Sequence, residues 1–124
     1  MIDNVLRQRL DQELLNSPKI YIAGAITGYY GYKKVFKDME LELKSRGFVA
    51  FNPVKPKGFT YKSYIDMGLC ELMRCDAILV LPGWENSKGA SLEVQYAKTV
   101  GLPVFTSVQE LEDCYTEQKY GNKR

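Results

Sequence analysis

The stretch CDAILVLPGWENSKGASLE, Cys75 to Glu93, holds the residues whose types and spacing could do chemistry. An apolar run ends in a loop with Gly83, Trp84 and Gly89. The segment that follows carries Glu93 among Ala90, Val94, Ala97 and Val100. On a helix of about 100° per residue, Glu93 falls in the middle of an arc with Val100, Ala97, Ala90, Gly89, Tyr96 and Val94, and Ser91, Gln95, Lys98 and Thr99 lie opposite. A charge on a sheet-facing stripe is costly unless it is paired or used. Two readings follow. Either Glu93 is an ionised carboxylate at the floor of a pocket, able to attack an electrophilic carbon, with Gly89 one turn earlier leaving space above it. Or it is a stripe-edge residue paired with a lysine or a tyrosine hydroxyl.

The loop before it offers a second kind of chemistry. Ser87 and Gly89 at a helix start present backbone N–H groups suited to a phosphate, and Lys88 adds a cation. An ordinary serine N-cap fits the same residues. Lys33, Lys34, Lys55, Lys57 and Lys62 would stand around the same rim, either attracting an anion or simply solvated. AITG (Ala25–Gly28) is not a GxGxxG fingerprint and no Walker motif exists, so dinucleotide binding is weakly supported.

Composition narrows the field. The chain of 124 residues contains no histidine, which removes Ser-His-Asp and Cys-His chemistry and makes the common zinc sites improbable. Neither a metal nor a cofactor is expected. Cys70, Cys75 and Cys114 form no CxxC pair and read as free thiols. A formal charge of +2 is too small to argue for binding a nucleic-acid polymer or a membrane. No apolar run is long enough for a transmembrane helix and the N-terminus lacks a signal-peptide core, so a cytosolic protein is the default expectation.

The elements that must position these residues alternate. KIYIAG (Lys19–Gly24) reads as a strand. YKKVFKDMELELKSRG reads as a helix with Val35, Phe36, Met39, Leu41 and Leu43 as its apolar set at helical spacing, stopped by Gly47. FVAFNP is a strand closed by Pro53, YKSYIDMGLCELMR a helix, DAILVLPG a buried strand, KGASLEVQYAKTVG a helix stopped by Gly101, and LPVFTS a strand. VQELEDCY is a last helix, and residues 116–124 a frayed polar tail. This implies one α/β domain over 1–124, a three-layer sandwich with a parallel sheet, taken in the order 2-1-3-4 with room for a fifth strand. Residues 1–17 should add an amphipathic helix that packs on the domain or on a second subunit. Ligands of such sheets bind where the strand order reverses, between the loops AGAITGYYGY and PGWENSKGAS.

These residues together resemble the nucleoside 2-deoxyribosyltransferase superfamily, which includes the 2-deoxynucleoside 5′-monophosphate N-glycosidases. The resemblance rests on IYIAGAITG, the NP after the second strand, and CDAILVLPGWENSKGASLE with the later Ala and PV, roughly Lys19 to Phe105. It is nearest to a branch of small phage and bacterial proteins, which would place the chain in a bacterial or phage-infected host cytosol. The resemblance implies a flavodoxin- or Rossmann-like three-layer sandwich and a retaining reaction in which Glu93 is the nucleophile and forms a glycosyl-enzyme intermediate. Tyr21 would hold that glutamate, and Ser87 and Gly89 would contact a phosphate. Gly24, Ala25, Ile26, Thr27 and Gly28 would line the sugar or phosphate, with Asn52 and Gly83 completing the substrate contacts. Trp84 could stack on a base or pack the loop. A homodimer or larger homo-oligomer is also implied. One position departs: the family's second carboxylate falls on Gly68, and the nearest acid, Asp66, is turned about 160° away on an ideal helix. The alternative is therefore a protein that binds a nucleotide or nucleotide-derived signal without turning it over. The PG…G…E outline also resembles the phosphoribohydrolases that release cytokinin bases, but their tighter loop fits poorly here.

Overall fold

A computed structural model of the protein describes residues 4–6, 8, 17–26 and 30–120. Four strands form one parallel sheet in the order β2-β1-β3-β4: β1 (Lys19–Ala23), β2 (Val49–Phe51), β3 (Ala77–Val80) and β4 (Val104–Phe105). Between and after them run α1 (Tyr32–Ser45), α2 (Tyr61–Leu72), α3 (Lys88–Val100) and α4 (Val108–Tyr120), with a short 3-10 turn at Trp84–Asn86. The expected order is the observed one, with four strands among the described residues.

The pleat of β1 sorts its residues between two cores, because successive side chains point to opposite faces. Ile20 and Ile22 enter one core with Phe36, Leu43, Leu79, Leu81 and Leu111, covered by α1 and α4. Tyr21 and Ala23 enter the other with Leu72, Ile78, Val80, Ala90, Val94 and Ala97, covered by α2 and α3. Each sheet face is covered by helices, which is why β1 and β3 are apolar along nearly their whole length. The strands are held in register by Tyr21 opposite Phe51 on one side and Ile78 on the other. Asp76 ties the start of β3 to β1, its carboxylate accepting from the Lys19 N–H at 2.8 Å.

Three features differ from the sequence-based expectation. Val35 and Leu41 are exposed although α1 buries Phe36 and Leu43, because the stripe that meets the sheet is narrower than the apolar set. Val100 likewise leaves the buried face of α3 at its last turn, where Gly101 in the left-handed region (φ +86°) ends the helix. The last helix continues to Tyr120 instead of fraying from residue 116: Thr116–Tyr120 contains no breaker, and Gly121 follows. Of the expected N-terminal helix, residues 4–6 and 8 are helical and the rest lies outside the described residues.

Candidate functional site

Tyr21 lies at the centre of β1 with no solvent exposure, and its hydroxyl donates to Oε2 of Glu93 on α3. Glu93 is the buried charged residue among the described residues, 9% exposed. Among the described residues none donates a hydrogen bond to its other oxygen, Oε1. Among the described residues no buried side-chain oxygen lacks a partner, so Oε1 is the oxygen that meets solvent. The carboxylate is thus clamped on one oxygen and open on the other. Burial pushes its pKa up to about 7; the Tyr21 hydrogen bond opposes that rise and the charge of Glu71 adds to it. The Tyr21 hydroxyl is held far above its ordinary value by burial first and by the Glu93 charge second, so it remains a proton donor.

The third wall of this site is Gly68 on α2. A Cβ there would stand 2.6 Å from Glu93 Oε2 and 2.9 Å from Tyr21 Oη. The backbone of α2 therefore closes directly over the Tyr21–Glu93 pair, and any side chain at 68 would displace it. This corrects the expectation for Gly89: a Cβ at that position would meet Ile65 Cδ1 of α2 at 3.1 Å. Gly89 admits a neighbouring helix, and Gly68 admits the carboxylate.

Asp66 is not brought to Glu93. It sits on the outer face of α2, ion-paired with Lys62 at 2.6 Å, both side chains largely exposed. Asn52 is engaged at both ends within the protein: its amide donates to Glu40 at 3.1 Å and its carbonyl accepts from the Val54 N–H at 3.0 Å. Lys44, Asn52 and Lys37 together hold Glu40 down to about 2. Ser87 caps α3, its hydroxyl accepting from the Ala90 N–H at 3.2 Å. Gly83 adopts φ +86° to start the turn at Trp84, which is half-buried against the core that contains Tyr21. Thr27 and Gly28 lie outside the described residues.

Gly24 is buried at the end of β1, where a Cβ would meet Leu81 at 3.1 Å and Phe36 at 3.2 Å. Beside it, Ala25, Val35, Phe36, Leu81 and Pro82 line a cavity of about 140 Å³. This cavity occupies the crevice between the carboxyl ends of β1 and β3, where the strand order reverses, and Glu93 is not part of its lining. Ile26 packs toward the α1 side. Of the rim lysines, Lys34 pairs with Asp38, Lys62 with Asp66 and Lys55 with Glu71. Glu71 is the group that sequence reading passed over: it is one turn along α2 from Gly68, and its charge acts on both Glu93 and Tyr21. The signal was the i, i+3 spacing from Gly68, legible only once Gly68 is known to face the carboxylate.

The fold and this geometry define a small parallel α/β domain with a buried tyrosine–glutamate pair under its strand-order reversal. The chain belongs to the family described as "Domain of unknown function (DUF4406)", whose profile matches residues 18–106. A solved structure of the 2-deoxyribosyltransferase from the psychrotolerant bacterium Bacillus psychrosaccharolyticus shares the fold, with a TM-score of 0.54, 18% identity and 69% of each chain covered. No curated protein sequence matches the chain. Among the described residues no helix is long and apolar enough to cross a membrane, and no cluster of His, Cys, Asp and Glu could hold a metal.

Proposed function

We propose that the protein cleaves or exchanges the N-glycosidic bond of a (deoxy)nucleoside or nucleoside 5′-monophosphate, with Glu93 as nucleophile. The observation that carries this reading is the half-clamped carboxylate: Oε2 accepts from Tyr21 while Oε1 has no partner among the described residues. The shared fold with a 2-deoxyribosyltransferase supports it. Glu93 Oε1 attacks the anomeric carbon, the C1′–N bond breaks, and its electron pair leaves on the base nitrogen, which takes a proton from solvent. Water or a second base then attacks the glycosyl ester from the opposite face, and the carboxylate is released with net retention. Tyr21 orients Glu93 and keeps its proton throughout. Ser87 and the first N–H groups of α3 receive the phosphate when there is one.

The test is base release from a panel of nucleosides and their monophosphates. The wild-type chain should liberate free base from at least one, and Glu93→Gln should abolish it. Unchanged release in that variant overturns the proposal.

A second reading is favoured by Gly68 and by the outward pairing of Asp66: with neither of these positions offering an acid to protonate the leaving base, the pocket holds a nucleotide without turning it over. General acid assistance is worth about 10²–10⁴ in rate, so its loss could leave binding alone. Calorimetry showing tight nucleotide binding, with no base released over hours, selects this reading.

A further inference from the structure

Tyr64, Gly68 and Glu71 follow one another at i, i+4 and i+7 on α2, a single stripe of the helix. Its middle member lies against the Tyr21–Glu93 pair. The flanking members organise the loop between β2 and α2. The Tyr64 hydroxyl donates to the Pro56 carbonyl at 2.9 Å and accepts from the Phe59 N–H at 3.4 Å. This fixes the loop that carries Lys55, whose ammonium pairs with Glu71. The Lys55 and Glu71 side chains are only 22% and 24% exposed, against 86% and 54% for Lys62 and Asp66 on the outer face. Solvent therefore screens the inner pair far less.

We propose that Glu71, seated by Lys55, is a positioning carboxylate of the Glu93 site: it stands one helical turn from the Gly68 backbone that closes on Glu93, and Lys55 sets how much of its charge reaches the Tyr21–Glu93 pair. Among the described residues, β1 presents the Tyr21 hydroxyl to Glu93, and α2 carries Glu71 one turn beyond Gly68, which lies against the carboxylate; the Glu71 charge acts on Glu93. β3 turns Ile78 and Val80 to this face. The Cys75 thiol beyond Glu71 is pushed up to about 12 by burial and the neighbouring acids, and stays neutral. Because Glu71 also acts on Tyr21, removing it relaxes both members of the pair in the same sense. This inference gives a regulating partner to the carboxylate of the proposed function, but its readout does not need turnover.

The experiment is a titration of the Glu93 carboxyl by NMR in the full chain carrying carboxyl-labelled glutamate, the resonance being assigned by its loss in Glu93→Gln. Glu71→Gln should lower the Glu93 midpoint by about half a unit to one unit. Lys55→Met should raise it by a similar amount, and the double variant should match Glu71→Gln, because Lys55 acts through Glu71. Glu71→Asp, which keeps the charge, should fall between wild type and Glu71→Gln. A midpoint unmoved in Glu71→Gln, or moved the same way in Glu71→Gln and Lys55→Met, overturns the inference. Absence of base release with these shifts intact would count against the glycosidase reading alone.

Discussion

The Tyr21 hydroxyl and the Glu93 carboxylate, 72 residues apart in the chain, meet in the core between the sheet and α3. Tyr21 reaches the carboxylate because its register position on β1 sends its ring to the α2–α3 face. The hydrogen bond is to the ionised form of Glu93, so it opposes the rise that burial imposes.

Tyr21→Phe tests that opposition. Without the hydroxyl the Glu93 pKa should climb above its value of about 7, and the buried Oε2 is left unsatisfied. Base release at neutral pH should fall about tenfold and partly recover in more alkaline buffer. Stability should drop by about 1–3 kcal/mol, the usual cost of an orphaned buried acceptor. A pH–rate profile with a urea titration reads both. A variant with the wild-type profile would show that the hydroxyl does not tune the carboxylate.

Glu93 reverses the usual contribution of a carboxyl to stability against pH. Its folded pKa is raised, from 4.5 to about 7. The fold therefore binds the proton more tightly than the unfolded chain does. The associated stability is fully present below the unfolded value and is lost as pH rises through about 7. Glu93→Gln, still able to accept from Tyr21, should be more stable than wild type by roughly 1–3 kcal/mol at about pH 8, and the gap should close toward about pH 4. The same rise in pH generates the ionised nucleophile, so activity should increase where stability declines. Denaturation curves across this range check the sign.

The parallel α/β class was legible from the alternation of strands and helices along the chain, and the inward position of Glu93 from the periodicity of its own helix. What faces Glu93 was not. Gly89 and Gly68 are equally plausible openings until the rotation of α2 against α3 is known, and that rotation comes from tertiary packing of Ile65 on Gly89 and of Gly68 on the carboxylate. Asn52 looked available at a strand end, yet Glu40, from a helix on the opposite sheet face, captures its amide. Lys55 and Glu71, 16 residues apart, are paired by a loop whose course Tyr64 determines.

Gly68→Ala and Gly89→Ala separate these two glycines. Helix propensity alone favours alanine by about 1 kcal/mol at either position. At 68 the added methyl falls 2.6 Å from Glu93 Oε2 and 2.9 Å from a fully buried tyrosine oxygen, and the overpacking should cost a net 1–3 kcal/mol, by rough analogy with other cores. At 89 the neighbour is the mobile end of Ile65 at 3.1 Å, so the change should be within about 1 kcal/mol of neutral. Thermal or urea unfolding of the two variants side by side decides, and equal effects would mean that Gly68 is not the closed wall.

Ser87→Ala asks whether the α3 start does more than cap. Loss of the bond from the Ala90 N–H to the Ser87 hydroxyl should cost about 1 kcal/mol of stability whatever the ligand. A phosphate held there adds a second effect, selective for the phosphorylated substrate. KM for a nucleoside 5′-monophosphate should rise about tenfold to twentyfold while that for the free nucleoside stays level, since one hydrogen bond to a charged group contributes about 1.5 kcal/mol or slightly more. Steady-state kinetics on the matched pair measures the ratio. An equal change for both substrates would reduce Ser87 to its cap, and the phosphate would have to be received elsewhere along the β1–β3 crevice.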